Sequence, residues 1–155
     1  MKDLFDKCKL GKLELNSRII RTGLWESQNL KSGKLTNDVY DRYESIASSG
    51  VGLITTELLS LYNKDKFSDL SHKTYTPNFI PDFKRVTDIA HKYNTPIIGQ
   101  LMFVQYNRGI DLNIKVNELT MEDIRKIQVD IISAAKKLSF AGLMEYNWLW
   151  EIIFI

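Results

Sequence analysis

The sequence has few of the residues that cross-link or interrupt a chain. Cys8 is the one cysteine in 155 residues, so no disulfide can form within the chain. There is no apolar run of about 18 residues that could cross a membrane, and the first fifteen residues do not resemble a signal peptide. The net charge of +2 is too small to indicate nucleic acid or an anionic membrane as a partner. The expected location is therefore the cytoplasm.

The composition that remains is typical of a globular domain. Apolar residues make up 44% and charged residues 26% of the chain, and the length suffices for one domain with a real core. Neither GxGxxG nor GxxxxGK followed by Ser or Thr occurs, so neither phosphate-binding fingerprint applies. The two histidines match no metal-ligand spacing, and no metal site is predicted.

Helical and strand patterns alternate along the chain. Thr36, Pro81 and Thr120 each precede or begin an apolar stripe of helical period, and Gly50 and Gly142 suit the ends of the first and third helices. Short apolar runs at 18–22, 51–56 and 96–101 read as strands, the last two covered on both faces. This alternation predicts a parallel α/β sheet, but periodicity alone does not separate a barrel from a doubly wound open sheet.

Six short motifs in a fixed order bear on that choice. They are Leu4-Phe5, Gly11 to Asn16, Arg18 to Ile20, Gly33 to Thr36, Gly50 to Ile54 and Gly99 to Leu101. In this order they resemble the N-terminal part of the Old Yellow Enzyme family, which are FMN-dependent NAD(P)H oxidoreductases built on a (β/α)8 TIM barrel. The resemblance implies that residues 1–142 form the N-terminal portion of such a barrel, with about three to four βα units.

The resemblance also implies where the cofactor would lie. Gln100, at the end of the third strand, corresponds to an amide that contacts the FMN ring. Thr22, Gly23 and Leu24 correspond to a turn that wraps the flavin, although the family usually has Pro where Gly23 stands. Leu58 stands where the family often has Ala or Gly close to the ring, so its larger side chain is expected to crowd the flavin.

Two other polar residues at the strand ends have structural interpretations. Glu57 is read as a rim carboxylate at least as readily as a catalytic one, and His72 is read as a loop residue without a partner nearby in sequence. No catalytic residue is assigned to this chain. NAD(P)H is expected only as the reductant of the intact family.

The last segment departs from the family. After Gly142 the fourth barrel strand should read as an aromatic residue followed by Asp-Gly-Val, but Leu143 to Trp148 stands there instead. Deleting one base in codons for Phe-Asp-Gly-Val-Gln-Leu can produce this sequence. Residues 143–155 are therefore predicted to be an aberrant apolar tail, caused by a frameshift, with a genuine short terminal strand as the alternative.

Three functions remain open at this stage. The first is a truncated, inactive fragment of an FMN oxidoreductase, whose intact form reduces an activated alkene or another small acceptor. The second is a non-enzymatic remnant that self-associates through open sheet edges and the apolar tail. The third is an unrelated (β/α) domain that binds another phosphorylated ligand. Nucleic acid and membrane partners are not expected.

Overall fold

The fold follows from a computed structural model. It describes residues 3–24, 34–61, 72–103, 116–143 and 151–154. Of the last range and of Phe103, only the backbone is described.

A small antiparallel hairpin precedes the main sheet. Strands β1 (Cys8–Leu10) and β2 (Leu13–Leu15) are joined by a turn at Gly11, which has φ +58°. Alternation along β2 buries Leu13 and Leu15, which pack against Leu53 of the main sheet. The hairpin thus covers the sheet near the N-terminal end of β4, which in a (β/α) barrel is the floor.

The main sheet is parallel and follows chain order. Strand β3 (Ile20–Arg21) pairs with β4 (Leu53–Ser60), β4 with β6 (Ile97–Phe103), and β6 with β7 (Glu151–Phe154). A short strand, β5 (His72–Lys73), also pairs with β4, at its C-terminal end. Chain order without a reversal is the arrangement of a barrel wall, whereas a doubly wound sheet reverses its strand order at a switch point.

Three helices cover one face of this sheet. They are α1 (Asn37–Ser48), α2 (Phe79–Lys92) and α3 (Met121–Phe140), and a 3-10 turn at Val116–Glu118 precedes the last. Residues from all three helices join one hydrophobic core with Ile54, Leu59, Ile97 and Leu101 of the sheet. Leu53 and Ile98 face the opposite side, toward the hairpin. Helices on one face and a floor element on the other are the layers of a partial (β/α) barrel.

The helix boundaries agree with the sequence pattern to within about two residues. Gly50 and Gly142 have φ of +84° and +81°, so both occupy the left-handed region that ends a helix. Strand β4 runs to Ser60, beyond the predicted end at 56, and β6 runs to Phe103. Both strands are longer because their C-terminal halves pair with each other and, for β4, with β5.

The tail residues that the structure describes form a strand. Backbone pairing places Glu151 opposite Gln100 and Phe154 opposite Phe103, so β7 occupies the fourth position of the parallel sheet. Residues 144–150 lie outside the described part of the chain. The frameshift hypothesis concerns the coding DNA and stays a prediction.

None of the helices described is long and apolar enough to span a membrane.

Two threonine N-caps provide a test of local helix stability. Thr120 accepts a hydrogen bond from the Asp123 backbone, and Asp123 caps in return, whereas the Thr36 side chain makes no capping bond. We therefore expect Thr120→Ala to lower the free energy of unfolding by about 1 kcal/mol and Thr36→Ala by clearly less. Urea unfolding followed by circular dichroism measures both, and equal losses would contradict the assignment of the capping box.

Candidate functional site

The turn after β3 and the middle of β6 meet toward the C-terminal rim of the sheet. Because the strands are parallel, their C-terminal ends lie on the same side. Gly23 and Gln100 approach each other closely: a methyl group built on Gly23 would overlap Oε1 of Gln100. The two segments therefore share this rim, although β4 lies between β3 and β6 in the sheet order. Their role in binding a flavin stays a prediction.

Gln100 is a buried amide whose oxygen has no hydrogen-bond partner among the described residues. The residue is 4% exposed, and Oε1 makes no hydrogen bond to any group in the described part of the chain. Alternation along β6 places its side chain on the inner face, because Leu101 belongs to the core under the helices. An unpaired buried acceptor costs about 1–3 kcal/mol, so this oxygen is suited to a donor supplied by a ligand.

A β-bulge in β4 sets this geometry. The register shifts between Thr55 and Leu58, so that Thr56 and Glu57 occupy the position of one ladder residue. The Thr56 hydroxyl accepts the backbone N–H of Gln100 at 3.0 Å and donates to the Glu57 carbonyl at 2.9 Å. This side chain therefore replaces the missing ladder contact and holds β4 and β6 together at the rim.

The remaining predicted site residues line the same rim. Leu58 is half-buried and lies opposite Gln100 in the strand register. Thr22 and Leu24 are exposed, Leu24 to 53%, and flank Gly23. The structure thus brings all five predicted positions to the C-terminal half of the sheet, with Gln100 and Gly23 in contact. The expectation that Gln100 ends its strand is wrong, because β6 continues to Phe103 through its pairing with β4 and β7.

Glu57 points the other way, into the helical layer. Its Oε1 accepts a hydrogen bond from Nη1 of Arg42 on α1 at 2.9 Å, and its side chain is only 6% exposed. Burial alone would raise the pKa of Glu57, but contacts with His72 and Arg42 outweigh it, so the pKa lies below its usual value. The carboxylate is therefore a structural anion that joins the sheet to α1.

Tyr43, on α1, also contacts Glu57 within the helical layer. Its hydroxyl accepts the Glu57 backbone N–H at 3.3 Å, and the guanidinium of Arg21 lies 6.0 Å from its ring centre. Burial, with the nearby Glu57 carboxylate, raises the pKa of Tyr43 to about 12. The phenol is therefore protonated at neutral pH.

His72 is deeply buried, which its position in the sequence does not reveal. It is 2% exposed and lies edge-on to Phe83, with ring centres 5.3 Å apart. Its Nε2 is 3.5 Å from Oε2 of Glu57, an ion contact when the ring is protonated, yet neither nitrogen has hydrogen-bond geometry with a described group. The expectation that His72 lies in a loop is wrong, because it belongs to β5, whose pairing with β4 beside the bulge brings it to Glu57.

No group of three or more His, Cys, Asp or Glu side chains suited to a metal ion occurs within the described ranges. Cys8 is half-buried in β1, and its thiol donates to the Ser17 carbonyl at 3.5 Å.

Comparison with solved structures identifies the architecture. An Old Yellow Enzyme homologue from Zymomonas mobilis superimposes with a TM-score of 0.72 over 91% of this chain, at 16% identity. The Old Yellow Enzyme from Pichia sp. AKU4542 gives 0.72 over 90% at 20% identity, and morphinone reductase gives 0.72 over 90% at 19%. This chain has the fold of part of an Old Yellow Enzyme barrel.

The likeness covers most of this chain but less than half of each solved structure. The chain spans 46%, 43% and 45% of those three proteins. No family model and no curated protein sequence matches the chain. The resemblance carried by the short motifs is thus confirmed at the level of the fold, through structure and not through overall sequence identity.

Sequence reasoning missed two features of this Old Yellow Enzyme-like rim. It noted Gly23 only as a departure from the family's usual Pro, but in the structure a Cβ at this position would meet Gln100. It also left Glu57 and His72 unconnected, because fifteen positions separate them in sequence and no local pattern links them.

The low pKa of Glu57 predicts a pH-dependent contribution to stability. At neutral pH, Glu57→Gln should lower the free energy of unfolding by about 2 kcal/mol, because Arg42 loses a buried charged partner. A depressed folded-state pKa stabilises the fold above the unfolded carboxyl pKa of about 4.3, and this gain is lost as pH falls through the folded value. The difference between the two proteins should therefore shrink in acid, as measured by urea unfolding at several pH values.

The control is a carboxylate on α1, the helix that carries Arg42. Glu44 pairs with Lys92 at 2.8 Å and accepts from the Tyr93 hydroxyl, but 43% of its side chain is exposed to solvent. Glu44→Gln should leave stability almost unchanged, since exposed ion pairs contribute little. Equal losses in both variants, or a Glu57→Gln loss that does not vary with pH, would contradict the buried-anion interpretation.

Proposed function

We propose that this chain forms the ring-binding rim of an FMN-dependent oxidoreductase of the Old Yellow Enzyme type. The observation that carries the proposal is Oε1 of Gln100, which is buried in the middle of β6 near the C-terminal rim and has no hydrogen-bond partner among the described residues. In (β/α) barrels this end of the strands holds the active site. The likeness to Old Yellow Enzyme barrels in fold supports the same placement.

The residues at the rim fit a flavin ring in their chemistry. The pyrimidine part of the isoalloxazine carries a ring N–H and two carbonyls, and a glutamine amide can both accept from and donate to such an edge. The backbone of Thr22 to Leu24 lies next to this amide through Gly23 and offers further polar groups. Leu58, opposite Gln100, would give the ring an apolar contact and restrict the space beside it.

FMN, when bound, supplies hydride transfer from NAD(P)H to an activated alkene or another small acceptor. The chain's own contribution is to bind and orient the ring. Gln100 would fix the pyrimidine edge, and the Thr56 bridge would hold β6 at the height that Gln100 needs. We assign no proton donor and no catalytic residue among the described residues, and we propose that this stretch alone does not turn over substrate.

The alternative of a different phosphorylated ligand on a doubly wound sheet receives less support. The sheet follows chain order, all three helices join one core, and Gln100 reaches the same rim as the β3 turn. A doubly wound sheet would place helices on both faces.

FMN binding tests the proposal directly. The purified chain should quench FMN fluorescence on titration, and Gln100→Ala should weaken that binding roughly tenfold by removing one buried hydrogen bond, or about 1.4 kcal/mol. Leu58→Ala is the matched control, because it shortens the neighbouring rim residue without removing a polar group. Its affinity should be equal or tighter, since the space beside the ring grows.

Two results would contradict the assignment. One is the absence of any FMN binding by the folded, unmodified chain. The other is a Gln100→Ala variant that binds FMN as tightly as the original protein while Leu58→Ala loses affinity.

We also propose that the chain self-associates through its outer strands. In the described residues β3 and β7 each pair on one side only, and Ile20 on β3 is 42% exposed. Open edges of this kind invite pairing with another strand. Light scattering should show a mass that rises with concentration, and Ile20→Lys should reduce that rise, because a charge at an edge strand opposes pairing. A mass that stays at one chain at every concentration would refute this proposal.

A further inference from the structure

Gly23 does not have a positive φ, so a left-handed backbone does not explain the glycine at this position. The glycines with positive φ in the described part of the chain are Gly11, Gly50 and Gly142, and Gly23 is not among them. The structure offers another reason for glycine, which is the space around it.

That space is filled by the Gln100 side chain. A Cβ on Gly23 would overlap Oε1 of Gln100, and it would lie 2.7 Å from the Gln100 Cδ and 2.8 Å from the Thr56 carbonyl oxygen. The first two atoms belong to a side chain that can rotate, whereas the third is backbone. The carboxamide thus rests directly on the Gly23 backbone, across the end of β4.

We infer that Gly23 is a positioning residue that seats the Gln100 carboxamide at the rim. Any side chain at position 23 would displace the amide from this seat, and Oε1 would no longer be held in its present position. This inference rests on the proposed function only for its consequence, which is that position 23 controls how Gln100 meets the flavin. The seat itself is a property of the protein without ligand.

The backbone of Gln100 is fixed independently of its side chain, which makes the inference testable. Its N–H bonds to the Thr56 hydroxyl at 3.0 Å, and that bond remains in Gln100→Ala. Truncating the amide therefore removes the group that collides with a Cβ at position 23 and leaves the strand pairing in place. Residues in direct contact of this kind are expected to show non-additive effects.

The test is a double-mutant cycle of Gly23→Ala and Gln100→Ala, followed by thermal unfolding without flavin. Gly23→Ala alone should lower the melting temperature by several degrees. In the Gln100→Ala background the same change should cost less than half as much, because the clash with Oε1 and Cδ is gone. If the two losses simply add, the contact with Thr56 dominates and the inference is wrong.

FMN affinity is a second measurement, which a purely structural role of Gly23 would leave unchanged. Below the unfolding transition, Gly23→Ala and Gln100→Ala should each weaken FMN binding roughly tenfold, and the double variant should lose no more than either single variant. Independent, multiplying losses would overturn the positioning role. If the unmodified chain binds no FMN but the losses in melting temperature are non-additive, the proposed function is wrong. The inference that Gly23 positions the Gln100 amide would still hold.

Discussion

The hydrogen bonds of the Thr56 hydroxyl determine which side chains face each side of the sheet at the β-bulge. Its hydroxyl takes the place of a ladder contact between β4 and β6, so the chain can insert one extra residue without losing the pairing. The insertion turns Glu57 toward the helices and leaves Gln100 on the inner face. The Thr56 side chain thus helps to place the Glu57 carboxylate and the Gln100 amide on opposite faces of the sheet.

On the helical side of the sheet, an ion pair stabilises the buried Glu57 carboxylate. Glu57 is buried against Arg42 and beside His72, and an unpaired carboxylate at that depth would be costly. The inner side shows the reverse, because Oε1 of Gln100 is buried without a partner in the described residues. Among the described residues, the paired Glu57 carboxylate under the helices and the unpaired Gln100 acceptor at the rim distinguish the scaffold from the candidate site.

Much of the local structure followed from the sequence. The stripes of the three helices, the caps near Thr36 and Thr120, and the helix ends at Gly50 and Gly142 each depend on residues within a few positions of one another. The order of the strands could not be deduced from periodicity, since barrels and doubly wound sheets share it. The motif series indicated the barrel, and the parallel chain-order sheet confirmed it.

The sequence by itself determined the three helices and the central parts of the main strands, because hydrophobic period and capping act over short distances. The ends of β4 and β6 depended on the pairing of their C-terminal halves. Only the tertiary structure decided that Gly23 lies under the Gln100 amide and that His72 lies beside Glu57. Both contacts join residues far apart in the chain, and both depend on the strand register and on the bulge at Thr56 and Glu57. Register is set by pairing across the sheet, which no local pattern contains.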